Sequence, residues 1–422
     1  MQYRQLGRSG LKVSPICLGT MMFGGPTDEA ASKRIIAKAH EAGINFIDTA
    51  DAYSKGASEE VVGRAIGNNR HAWVLATKLA NPMGTDPNRV GLSRRWVLQA
   101  ADESLKRLGT DHIDIYYLHK EDHTTPLEET VRAMGDLIRA GKVRYFGVSN
   151  YRAWRVAEIC NICDRLGIDR PAVSQPYYNA MNRMPEVEHF PACSYYGLGI
   201  VPYSPLARGV LTGKYKPDAA PDKESRAGRN DTRMMQTEWR PESLQLAQEI
   251  KAHAEKKGIT AGQFAVAWVL NSAFVSSIVA GPRTEEQWDG YTGALDYLHC
   301  GGRGADRQTG RARSSVDAGL QRPGLSDRRT SRADGLRRRH EWPSKIATAY
   351  RSLPLRPRRH PLIARALTSC SRAGPARRRC WSARLRPIRI LRWPISPAPA
   401  CMASISKAIW HGRRRPSRAS SW

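Results

Sequence analysis

Short apolar runs alternate with amphipathic segments through most of the first 300 residues. The runs are 15–20, 45–48, 73–78, 113–119, 143–150, 172–175, 199–203 and 276–281, each bounded by turn or cap residues. Uninterrupted apolar text of this length is what strands covered on both faces of a parallel sheet require. Helices are expected between them. Asp28 caps one that Gly43 stops, and Ser93 caps another that ends at Gly109. In that second segment Val97, Ala100, Ala101, Ser104, Leu105 and Leu108 recur at three and four, so one face is apolar. Pro126 opens a helix at its first turn and Gly141 follows its end. Residues 154–166 form another, Thr260 caps 261–270, and Thr284 caps 285–295.

A strand–helix repeat gives an α/β fold with a parallel sheet. Eight units match a closed (β/α)8 TIM barrel, whose usual size is about 250 residues. The alternative is an open doubly wound sheet, which carries a Gly-rich turn after its first strand. The segment Thr20-Met21-Met22-Phe23-Gly24-Gly25 has no G-x-G-x-x-G, so the barrel is favoured. Residues 3–6 and 12–13 flank Gly7-Arg8-Ser9-Gly10 and read as an N-terminal β-hairpin plugging the barrel bottom. The connection 206–240 is long enough to be functional or disordered.

Charge divides the chain. The formal net charge is +28, but residues 1–300 hold 37 Lys+Arg against 34 Asp+Glu, while residues 301–422 hold 30 against 5. The expected domains are a barrel over 1–297 and an Arg/Pro/Ala/Ser-rich tail over 298–422 whose composition predicts disorder. The tail's cations are 28 Arg and 2 Lys, text that a GC-rich gene gives when read out of frame. A frameshift is the expectation; an uninterrupted reading frame encoding this tail overturns it. A basic arm binding nucleic acid is disfavoured, because the tail has few aromatics and no recognition motif. No secretory signal or run of about 18 apolar residues is present, so a cytoplasmic protein without a membrane span is expected. Eight scattered cysteines fit reduced thiols, and the Cys160–Cys163 pair lacks the second pair that zinc requires.

In such a barrel, active sites form at the C-terminal ends of the strands. The polar residues there include Asp48, Tyr53, Lys78 and His119. Singly each has a bland reading: a turn cap, a packed aromatic, a solvated charge, a structural histidine. Together they make a device for moving a proton. A phenol near pKa ~10 is a poor acid at neutral pH. A lysine ammonium beside it lowers that value by about 1–3. Asp48 keeps Lys78 charged, and His119 holds a carbonyl oxygen against Tyr53.

The segments Phe46-Ile47-Asp48-Thr49-Ala50-Asp51-Ala52-Tyr53, Ala76-Thr77-Lys78, Tyr117-Leu118-His119 and Gly147-Val148-Ser149-Asn150 resemble the aldo-keto reductase signatures. So does Val201-Pro202-Tyr203-Ser204-Pro205-Leu206-Ala207-Arg208-Gly209-Val210-Leu211-Thr212-Gly213-Lys214-Tyr215. The resemblance covers about residues 1–295. It implies NADPH-dependent reduction of a small-molecule carbonyl substrate. It implies Tyr53 as general acid, Lys78 and Asp48 as its tuning pair, and His119 as carbonyl orienter. It further implies that Ser149, Asn150 and Gln175 hold the nicotinamide carboxamide and that Tyr203 stacks on the ring. Ser204, Pro205, Leu206 and Lys214 lie along the pyrophosphate, with Thr20 and Met21 also at the cofactor. Arg226 acts as a clasp. Gly281, Arg283 and Gln287 match the adenosine end, where Arg283 pairs with a 2′-phosphate. Substrate-pocket candidates are Met21, Met22, Tyr53, Lys120 and Trp239. Competing functions are a nucleotide-sensing partner without turnover, as in the channel β subunits that share this fold, and nucleic-acid binding by the tail. Reduction of a reactive aldehyde separates the first from an enzyme.

Overall fold

The structure, a computed structural model, describes residues 1–298. The expectations for the tail, including Cys300, Cys370, Cys380 and Cys401, lie outside the described residues. Strands β1 (Arg4–Gln5) and β2 (Lys12–Val13) form an antiparallel hairpin. The barrel strands are β3 (Ile16–Gly19), β4 (Phe46–Asp48), β5 (Val74–Leu79), β6 (Ile113–Leu118), β7 (Val143–Ser149), β8 (Val173–Gln175), β9 (Gly199–Ile200) and β10 (Ile278–Ala280). They are parallel and run in the order β10-β3-β4-β5-β6-β7-β8-β9. Closure comes from Ser276 N donating to Ile200 O and Val279 N donating to Pro202 O, both at 2.9 Å. The sequence pattern extends β9 to residue 203; its regular ladder is shorter because Pro202 has no N–H. Pairing resumes as a bridge between Tyr203 and Val279.

The helices are α1 (Glu29–Glu41), α2 (Ala57–Ile66), α3 (Arg94–Leu108), α4 (Leu127–Arg139), α5 (Ala153–Leu166), α6 (His189–Tyr196), α7 (Thr232–Thr237), α8 (Pro241–Glu255), α9 (Ala261–Leu270) and α10 (Glu285–Thr292). The caps act as the sequence demands. Asp28 accepts from Ala31 N, Ser93 accepts from Trp96 N, and Thr260 forms a capping box with Gln263. Pro126 stands one residue before α4 rather than inside it. Helix α10 ends at Thr292 and continues as a 3₁₀ turn, Gly293–Tyr297, where the sequence suggests helix to 295. Gly290 and Gly293 weaken that end.

Leu6 and Val13 of the hairpin segment are fully buried against the barrel interior residues Cys17, Phe46, Ile115, Tyr117 and Val201. Gly7, at φ +58°, lies so close to the start of β9 that a Cβ would stand 2.3 Å from Gly199 N. The hairpin thus closes the bottom and leaves the opposite end, where the strands terminate, for chemistry. The 206–240 connection is packed rather than structureless. Val210, Leu211, Tyr215 and Met234 bury against Leu244 and Ala247 of α8. Cys160 and Cys163 are free thiols buried in α5, and burial pushes both up to about 12. Among the described residues no helix is long and apolar enough to cross a membrane.

Candidate active site

Four residues from three strand ends converge as the sequence predicts. Asp48 ends β4, Lys78 is the penultimate residue of β5, His119 follows β6, and Tyr53 opens the 3₁₀ turn Tyr53–Gly56 beyond β4. Lys78 and Asp48 are buried and form an ion pair. Lys78 Nζ also donates to Thr49 O at 2.7 Å and to Tyr53 Oη at 3.1 Å. An ammonium has three hydrogens, and these three acceptors take all of them. Asp48 Oδ2 accepts from Gln175 Nε2 at 2.9 Å. Burial alone would lower the Lys78 pKa; the Asp48 carboxylate and Tyr53 outweigh it, and the ammonium is held above its ordinary range.

The expected lowering of the Tyr53 pKa is corrected by the geometry. Burial raises it more than the neighbouring Lys78 charge lowers it, and Asp48 adds to the rise, so the phenol sits above its ordinary value. Lys78 moderates that rise rather than reversing it. His119 goes the opposite way. Burial, then the charges of Lys78, Arg233 and Lys120, hold it well below the usual range, so the imidazole is neutral. Asn81 Nδ2 lies 3.0 Å from His119 Nδ1. With the amide as donor, Nδ1 accepts and the ring proton sits on Nε2. The rings of Tyr53 and His119 meet edge to face at 5.8 Å.

A cleft of about 970 Å³ opens over these groups, and every expected cofactor residue lines it. Ser149 Oγ donates to Gln175 O at 2.8 Å, and Asn150 Nδ2 donates to Ser149 Oγ at 3.0 Å and to His119 O at 2.9 Å. Tyr203 Oη donates to Asn150 Oδ1 at 2.7 Å. Asn150 and Ser204 adopt φ of +59° and +56°, a costly region for side chains that recurs at functional loops. Thr20 and Met21 border the cleft from β3, and Pro205, Leu206 and Lys214 from the segment after β9. At the far end lie Gly281, Arg283 and Gln287; Gln287 Oε1 accepts from Arg283 N at 2.8 Å. Arg226 reaches from the long connection to Met22 Sδ at 3.8 Å, which ties that connection to the β3 side. Lys78 lies beneath the cleft, fully buried, rather than on its wall. Of the substrate-pocket candidates, Met22, Lys120 and Trp239 do not line the cleft; Trp239 packs on Tyr215 instead.

Sequence reasoning missed Asn81, Arg208 and Arg233, which the cleft also includes. Asn81 is three residues past Lys78, a strand-end position on the same rim as the others, and that placement is the signal that could have found it. It also missed a buried acid beneath the site. Asp51 is fully buried and its carboxyl oxygens have no side-chain partner. Burial, then the Glu59 carboxylate, push it up to about 8. The folded chain therefore keeps a proton that the unfolded chain releases near ~3.9. Stability contributed by this group falls as pH rises from about 4 to 8. In Asp51→Asn that fall disappears. Melting temperatures at about pH 5 and pH 8 check it: the variant gains on the parent at the higher pH, and an unchanged difference contradicts the assignment.

The family model for the aldo/keto reductase family matches residues 15–298. A probable voltage-gated potassium channel subunit beta of Oryza sativa subsp. japonica is 38% identical over 303 residues, 71% of this chain and 92% of that protein. A versiconal hemiacetal acetate reductase of Aspergillus parasiticus is 36% identical over 316 residues, 68% of this chain and 91% of that protein. An uncharacterized oxidoreductase of Bacillus subtilis (strain 168) is 37% identical over 300 residues, 68% and 89% respectively.

Proposed function

This chain belongs to the aldo/keto reductase family, and from that premise we propose that it is an NADPH-dependent reductase of aldehydes or ketones with Tyr53 as general acid. One observation carries the reading. Lys78 donates to the Tyr53 oxygen, so the phenol keeps its own hydrogen for another acceptor. None of the described residues accepts it, and the cleft lies beside it.

When bound, the reduced nicotinamide supplies the hydride that adds to the carbonyl carbon. His119 Nε2–H donates to the carbonyl oxygen and holds it against Tyr53. The Tyr53 O–H passes its proton to that oxygen as negative charge develops there, giving the alcohol. Lys78 stabilises the phenolate left behind, and Asp48 keeps Lys78 charged. A neutral imidazole suits the orienting role, because it donates a hydrogen bond without competing as the acid.

The cleft residues fit a phosphorylated dinucleotide. Arg208 Nε and Arg283 Nε are buried without a hydrogen-bond partner, and both residues line the cleft. Buried donors left unpaired are costly, and phosphate oxygens satisfy guanidinium donors through charge-assisted bonds. Arg283 beside the α10 N-terminus is the group assigned to a 2′-phosphate, which is the basis for NADPH over NADH. Calorimetry on Arg283→Gln checks this. NADPH binding weakens about 10–100-fold, the worth of a charge-assisted hydrogen bond, and NADH binding changes far less. Equal losses for both cofactors contradict the assignment.

A nucleotide-sensing role without turnover takes its support from the rice relative's name. Stopped-flow NADPH oxidation with 4-nitrobenzaldehyde separates the two. Turnover supports the enzyme; tight NADPH binding with no oxidation supports the sensor.

A further inference from the structure

Arg233 is the cleft cation whose place the reductase reading leaves unexplained. It sits in the first turn of α7, whose position is fixed at both sides. Asp231 caps the turn by accepting from Met234 N at 2.9 Å, and Met234 is fully buried in the core beneath the long connection. The neighbouring cleft arginines have acidic partners: Arg208 lies 3.7 Å from Glu238, and Arg226 lies 3.8 Å from Asp231. The Arg233 guanidinium has no ion pair or hydrogen bond among the described residues. It lines the cleft that Tyr53, His119 and Tyr203 also line. Its charge reaches all three: after burial it is the foremost influence lowering the pKa of Tyr203, and after burial and Lys78 it also acts to lower those of His119 and Tyr53. A lone guanidinium at the reacting end of a cleft favours an anion there.

We infer that Arg233 selects carbonyl substrates carrying a carboxylate, which its guanidinium receives while the carbonyl oxygen lies between Tyr53 and His119. The inference rests on the reductase reading and narrows it to a substrate class. A planar guanidinium matches a carboxylate in a two-pronged pair, so the contact fixes orientation as well as adding attraction. With Arg208 and Arg283 assigned to the cofactor's phosphates, and Arg226 lying 3.8 Å from Asp231, Arg233 is the group left for the substrate. The carboxylate plays no part in the chemistry of reduction; it fixes which end of the molecule enters first.

The test compares 4-carboxybenzaldehyde with methyl 4-formylbenzoate, in which a methyl ester replaces the far-end carboxylate and removes its charge, using the full chain and NADPH. The parent protein is expected to show a kcat/KM at least about tenfold higher for the carboxylate, carried mainly by KM. In Arg233→Gln that preference falls to near unity, and Arg233→Lys retains part of it. Raising salt erodes the preference in the parent and not in the Gln variant. Equal kcat/KM for the two aldehydes in the parent overturns the inference and leaves the reductase reading standing. So does an Arg233→Gln variant whose loss appears in the KM for NADPH, which reassigns the residue to the cofactor. Should neither aldehyde turn over, the reductase reading fails. The contact is then read by calorimetric binding of 4-(hydroxymethyl)benzoate against 1,4-benzenedimethanol in the presence of NADP⁺. Tighter binding of the carboxylate that Arg233→Gln abolishes supports the assignment; equal binding overturns it.

Discussion

Tyr53→Phe lowers turnover of an aromatic aldehyde about 10²–10⁴-fold, the usual worth of a positioned general acid, while NADPH binding stays within about twofold. The substitution removes one oxygen from a ring that is otherwise held in place. The backbone N–H of residue 53 still donates to Ala50 O, and the ring keeps its edge contact with His119. Lys78 loses one of its three acceptors but keeps Asp48 and Thr49 O. The barrel therefore folds as before, and the deficit falls on the chemical step. Single-turnover kinetics and cofactor titration together check this. A variant that reduces aldehyde at the parental rate removes Tyr53 from the role of acid. One that loses NADPH binding as well assigns the residue to the cofactor.

Lys78→Met has the second large effect, and it falls on stability as well as rate. Asp48 is buried, and without the ammonium it keeps, among the described residues, only the amide of Gln175 as a polar side-chain partner. Removing one member of a buried ion pair costs about 3–5 kcal/mol, because the remaining charge has neither water nor partner. At roughly 2–4 °C per kcal/mol, thermal unfolding reports a drop on the order of 10 °C. The double variant Asp48→Asn/Lys78→Met removes the stranded charge. It recovers most of the stability and none of the turnover, since nothing then stabilises a Tyr53 phenolate. Stability and rate recovering together would mean that the pair is structural only.

Much of this arrangement was legible in the residues. The eight strands announce themselves because both of their faces are buried, so the apolar text is continuous. Asp28, Ser93, Thr260 and Thr284 mark helix starts because their side-chain oxygens satisfy local N–H groups, an interaction confined to a few residues. The quartet of Asp48, Tyr53, Lys78 and His119 was visible because strand ends in a barrel share one rim. Other elements depend on contacts that no local pattern encodes. Helix α2 carries buried Ser58 and Glu59, which read as surface polar positions. Ser58 bonds Thr20 across 38 residues, and Glu59 pairs with Arg107 across 48. Helix α6 contains Pro191 and has no amphipathic stripe. Helix α8 did leave a signal, Pro241 at its start and Leu244 and Ala247 on one face, just past the 206–240 connection, in a stretch to which the sequence reading assigned no element. The rise in the Tyr53 pKa was not legible either, because it follows from how completely the fold buries the phenol. The same holds for Arg233, whose meaning lies in having no ion-pair partner in space among the described residues.

The central claim is that Tyr53, Lys78, Asp48 and His119 act together to protonate a carbonyl oxygen over a bound nicotinamide. Mixing the NADPH-loaded protein with excess 4-nitrobenzaldehyde, and quantifying alcohol formed in one turnover, measures that act itself. One alcohol formed for each NADPH oxidised, with both slowed together in Tyr53→Phe, is the expected result. Protein saturated with NADPH that forms no alcohol would contradict it.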